Sequence, residues 1–106
     1  MARASINPGN CGLHTTVDAQ KNGDGKIVLT IDSKCAAIRK MAAALPEELE
    51  PWGELSFRRG MPVVLEKGTE FCSHTACPVP VGIIKAIEVA AGTALPGMAT
   101  IEVTKD

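Results

Sequence analysis

A chain of 106 residues, 45% hydrophobic and 22% charged, is long enough to bury a core and too short to build two, so one domain over residues 1–106 is expected. Lys and Arg number 11 against 12 Asp and Glu, and the three aromatics are Trp52, Phe57 and Phe71, so neither a polyanion-attracting field nor a base-stacking platform is present and nucleic-acid binding is set aside. Met1–Asn10 lacks the charge-then-apolar pattern of a secretory leader, and no apolar run reaches membrane-spanning length. The expectation is a cytoplasmic protein with no membrane partner, in a compartment that keeps thiols reduced.

Ala2, Ala4 and Ile6 alternate with Arg3 and Ser5, which predicts a short strand ending at the turn Asn7-Pro8-Gly9-Asn10, with Cys11 just beyond it. Thr15, Val17 and Ala19 alternate with His14, Thr16 and Asp18. Ile27, Leu29 and Ile31 alternate with Val28, Thr30 and Asp32. The intervening Asn22-Gly23-Asp24-Gly25 makes these two runs a β-hairpin. Asp32-Ser33 then offer capping side chains for a helix whose apolar residues Ile38, Met41, Ala42 and Leu45 recur at helical spacing, which puts Cys35 in its first turn.

Pro46 ends that helix, and Glu47–Gly60 reads as an acidic, Pro/Gly-punctuated surface connection with Trp52 packed as a lid. Met61–Glu66, with Val63-Val64-Leu65, reads as a strand held to the sheet edge by Pro62. A second helix over Val81–Ala91 buries Ile83, Ile84, Ile87, Ala90 and Ala91 and stops at Gly92. Ala99, Ile101 and Val103 alternate with Thr100, Glu102 and Thr104 as a closing strand. The fold class expected is α+β: a mostly antiparallel sheet of four to five strands with two helices on one face.

Function turns on four cysteines. In a reducing compartment, metal ligation or a reactive thiol is a better use for them than two structural disulfides. Cys77 precedes Pro78-Val79-Pro80, a rigid opening for the second helix, whose unpaired amides and positive dipole end favour a thiolate there. Cys35 occupies the start of the first helix. If the two helices begin at the same edge of the domain, Cys35 and Cys77 become neighbours, within reach of Cys11 and Cys72; if they run in opposite directions, no common site forms. Cys72-x-His74-x-x-Cys77 offers three soft or borderline ligands within six residues, and Cys11, Cys35 and His14 remain to complete a shell. The bland alternative is that Cys35, beside Ala36-Ala37, packs as a small hydrophobe, and that His74 and His14 are structural or solvated.

Competing motifs are weaker. Asp18–Asp24 begins like a calcium loop, but Leu29 stands where its twelfth-position glutamate belongs. There is no glycine-rich phosphate loop and no nucleophile elbow around Ser33. Cys77 with His74 as a catalytic pair would need two residues of one short turn to point together.

Two resemblances add to this. Cys77-Pro78-Val79-Pro80 followed by Ile83-Ile84-Lys85 resembles the Cys-Pro-x-Pro helix start of the TusA/SirA sulfur-carrier family, over about thirty residues from Cys77 to the closing strand. That resemblance implies a persulfide on Cys77, although in the family the cysteine follows the first strand, near the N-terminus. The whole chain resembles a family of small uncharacterised proteins of anaerobic microbes, through Asn7-Pro8-Gly9-Asn10-Cys11-Gly12, Ile31-Asp32-Ser33-Lys34-Cys35 and Cys77–Pro80 with Lys85–Ala90. It implies an anaerobic, reducing cytoplasm.

The leading expectation is a thiolate-chemistry protein in which Cys11, Cys35 and Cys77, with Cys72 or His74, hold an iron–sulfur cluster or zinc and serve a redox or sulfur-transfer partner. The first alternative is a persulfide carrier acting through Cys77 as its catalytic thiol. The second is an interaction module with incidental cysteines. A homodimer that shares cysteines is compatible with the small size.

Overall fold

The computed structural model describes all residues, Met1–Asp106. Its sheet is a three-stranded antiparallel meander, β1 (Ala2–Ile6), β2 (Thr15–Lys21) and β3 (Ile27–Ser33), in the order β1-β2-β3. The hairpin between β2 and β3 forms for local reasons: the Asn22 side-chain oxygen accepts the amides of Asp24 and Lys26, and Gly25 supplies the positive φ of +77° that the turn requires. Period-two alternation then sorts the strands. Ala2, Ile6, Thr15, Val17, Ala19 and Ile27 are buried on one face, whereas Arg3, Ser5, Asp18, Thr30 and Asp32 lie on the other.

Four helices follow: α1 (Ala36–Ala44), α2 (Pro51–Glu54), α3 (Val63–Phe71) and α4 (Val79–Ala90), with a 3-10 turn at Phe57–Arg59. Helix α4 lies over β1 and β2, α1 packs on β3, and α3 contacts both α1 and α4. The core therefore sits between one sheet face and the helices, with Ile38 and Met41 from α1, Val64 from α3, and Ile83, Ala86 and Ile87 from α4 closing over Val17, Ala19 and Ile27.

The expected α+β sheet of four to five strands with two helices is thus corrected to three strands with four helices. Met61–Glu66 is not an edge strand, because from Val63 onward it is the first turn of α3. The buried carboxylate of Glu54 accepts the amides of Val63 and Val64, both at 2.9 Å, and so satisfies two donors that a nascent helix leaves open. That tertiary cap overrides the β-propensity of Val63-Val64-Leu65. The expected closing strand at Ala99–Val103 is absent: the segment belongs to no strand or helix. Within Glu47–Gly60, Leu49 exchanges two backbone hydrogen bonds of 2.9 Å with Ile27, and Trp52 is 53% exposed rather than packed as a lid.

Candidate functional site

The sheet register decides where the cysteines meet. Ile6 stands opposite Thr15, and Thr15 opposite Ser33, so the end of β1, the start of β2 and the end of β3 share one edge of the domain. Helix α1 begins there, right after β3, with Cys35 as its N-cap residue. Helix α4 begins there too, because Gly82 in its first turns packs directly on Ile6. Helix α3 arrives from the opposite direction: its Gly68 lies against Pro80, and its C-cap is Cys72. Two helix starts and one helix end thereby bring Cys35, Cys77 and Cys72 to the same edge.

All three are partly buried, pack against the hydrophobic core and are free thiols. Burial first, then the charges of the neighbouring Cys77 and Cys35 sulfurs, push the Cys72 thiol above its ordinary value. The two sulfurs that act on Cys72 place all three cysteines close together. Neither Cys35 nor Pro78 caps its helix with a side-chain hydrogen bond, so the first amides of α1 and α4 carry no side-chain acceptor.

The support beneath Cys35 is polar and buried. Ser33 Oγ accepts the Cys35 amide at 3.1 Å and pairs with Thr15 Oγ1 at 2.7 Å, while Arg39 donates to the Ser33 carbonyl at 3.0 Å. Asp32 and Ser33, the caps that the sequence suggested, do not cap α1: its N-cap is Cys35, and Ser33 takes only the Cys35 amide just ahead of the helix. Arg39 carried no motif that would have singled it out; its place one turn into an amphipathic helix is the only hint.

The remaining candidates lie elsewhere. Cys11 is exposed in the β1–β2 loop, at the same end of the sheet but outside the packed group. His14 is held by Ser5, with Nε2 at 2.8 Å from Oγ, and its carbonyl accepts the Lys34 amide at 3.0 Å. His74 is exposed in the turn between α3 and α4, where its carbonyl accepts the Cys77 amide at 3.3 Å. As the side chains stand, no three of the His, Cys, Asp and Glu residues are gathered so as to hold a metal ion. The arrangement is one of neighbouring thiols rather than a closed coordination shell. No helix is long and apolar enough to cross a membrane.

No curated protein and no solved structure matches the chain. A family model described as a family of unknown function, DUF6951, matches residues 2–103. The chain therefore belongs to the DUF6951 family.

Proposed function

We propose that the edge carrying Cys35, Cys72 and Cys77 is a sulfur-handling site, and that the protein is a thiol carrier of a reducing, anaerobic cytoplasm. The observation that supports this most directly is the adjacency of Cys72, at the end of α3, and Cys77, at the opening of α4, both packed on the core and both free. The Cys77 thiolate attacks the terminal sulfur of a donor persulfide; the donor's S–S bond breaks, the donor leaves as a thiolate, and Cys77 holds the persulfide. Cys72, whose proton is retained beside Cys77, is the resolving thiol: once deprotonated it attacks the inner sulfur, forms the Cys72–Cys77 disulfide and expels hydrosulfide. Sulfur and electrons balance in both steps. The partner is a sulfur-transfer or redox protein with its own persulfide or dithiol.

A second reading, an iron–sulfur or zinc centre, draws on the same convergence. Three neighbouring free thiols are soft donors of the kind that such a cation takes. The three sulfurs do not enclose an ion as they stand, so this reading needs further ligands, Cys11 or a second chain, and no step is routed through a metal.

Protein prepared without oxygen separates the two. Incubation with a small-molecule persulfide adds one sulfur to the intact mass; Cys77→Ala abolishes the addition, and Cys72→Ala prolongs it by blocking hydrosulfide release. Near-stoichiometric metal in the untreated preparation, with no sulfur addition, would replace the carrier reading by the metal one.

A further inference from the structure

Cys72 has two thiol neighbours, and the transfer described above uses only one of them. Cys72 ends α3, Cys35 opens α1, and Cys77 directly precedes the N-cap of α4. Helix α3 packs against both α1 and α4, and the Cys35 and Cys77 sulfurs both act on the Cys72 thiol. All three side chains lie half-buried against one core, and none is held in a disulfide. Cys35 is thus a third thiol, beside the resolving one, with no part in loading Cys77.

The helix ends give exchange among these sulfurs a direction. Cys35 and Cys77 stand at helix starts, where the free amides and the positive dipole end favour negative charge, and no side chain caps either start. Cys72 stands at a helix end, where the carbonyls disfavour it. In a Cys72–Cys77 disulfide the sulfur at the helix start is the better leaving group, so an incoming thiolate is directed to Cys72.

We infer that Cys35 is a relay thiol that takes the disulfide over from Cys77. Within the carrier reading, on which this rests, one step follows hydrosulfide release. The Cys35 thiolate attacks Cys72 Sγ, the Cys35–Cys72 bond forms, the Cys72–Cys77 bond breaks, and the electron pair leaves with Cys77 as thiolate. Nothing is oxidised or reduced overall. Cys77 is then free for a second sulfur while the disulfide waits at Cys35–Cys72 for a partner dithiol, which reduces it and itself becomes a disulfide.

The two outer thiols also open on different surfaces. Exposed Lys34 and Arg39 flank Cys35, with Arg39 fixed by its 3.0 Å bond to the Ser33 carbonyl. The Ser73–Ala76 bend beside Cys77 carries no Lys, Arg, Asp or Glu. A sulfur donor and a reducing partner therefore meet different chemistry at the two ends of the relay.

Full-length protein carrying Cys11→Ser, which removes the exposed thiol outside the group, is oxidised without oxygen by one equivalent of diamide, sampled over time, alkylated in the native state and mapped by mass spectrometry. The Cys35–Cys72 disulfide should grow as Cys72–Cys77 declines, with Cys77 becoming alkylated. Adding Cys35→Ser should freeze the Cys72–Cys77 bond and slow alkylation of Cys77 in the oxidised protein by at least roughly 10-fold. The first measurement leaves Cys35 unchanged, so it stands even where that variant folds poorly. A Cys72–Cys77 disulfide that persists while Cys35 is alkylated would overturn the relay. Sulfur addition to the reduced protein is read separately: its failure sinks the carrier reading and leaves the disulfide exchange standing.

Discussion

Gly82 of α4 packs so closely on Ile6 of β1 that a methyl group on its Cα would stand 2.4 Å from Ile6 Cδ1 and 2.7 Å from Cγ1. The helix is thereby keyed to one strand position, and that key fixes the Cys77 turn five residues earlier. Gly82→Ala should destabilise the fold by about 1–3 kcal/mol through overpacking, despite the better helix propensity of alanine. Adding Ile6→Val removes the Cδ1 methyl and should recover part of the loss. Urea unfolding of the single and double variants measures the coupling, and additive effects would show that the two residues do not press on each other.

Glu54 should be worth more than a surface acid. Glu54→Ala removes the acceptor for both Val63 and Val64 amides and leaves them at a buried helix start, at about 1–3 kcal/mol. Glu54→Gln keeps an acceptor oxygen but not two equivalent ones, and should fall between. Amide exchange at Val63 and Val64 should accelerate before the rest of α3 does.

Thr15 and Ser33 form a buried hydroxyl pair. Thr15→Val should cost about 1–3 kcal/mol, because Ser33 Oγ loses a partner away from water. Thr15→Val/Ser33→Ala should cost less than the sum of the single changes. Ser33→Ala also frees the Cys35 amide, so alkylation of Cys35 should change rate in that variant and not in Thr15→Val.

The raised Cys72 thiol gives a pH dependence of definite sign. Below the thiol value of the unfolded chain, about 8.5, Cys72 is neutral in both states and contributes no slope. Above it the unfolded chain ionises first, so stability falls as pH rises toward the folded value. Cys72→Ala should flatten this fall in urea titrations. Cys77→Ser and Cys35→Ser should each lower the Cys72 value by removing a neighbouring charge but leave it above the ordinary range, because burial is the larger cause. Mass-resolved alkylation against pH reads these shifts.

The hairpin of β2 and β3 was legible because Asn22 and Gly25 act within their own turn, and the end of α4 because Gly92 does. Cys35 and Cys77 were legible as helix-start residues for the same local reason. Helix α3 was not, since Pro62-Val63-Val64-Leu65 reads as an edge strand and the group that makes it a helix, Glu54, lies nine residues upstream on another element. Missing α3 hid the route by which Cys72 reaches Cys77. Alternation in Ala99–Val103 suggested a closing strand that the structure does not form, because a period-two pattern becomes a strand only where a sheet edge pairs with it.

Only Ser73–Ala76 separate the C-cap of α3 from Cys77. A bond between the Cys72 and Cys77 sulfurs would close a ring of a handful of residues in the turn between α3 and α4, outside the sheet and outside every helix. Oxidation state would then be written in one short bend rather than in the architecture. Under the proposed sulfur-carrier reading, a partner would tell loaded from spent protein by the shape of that bend alone, and the cycle would require no unfolding.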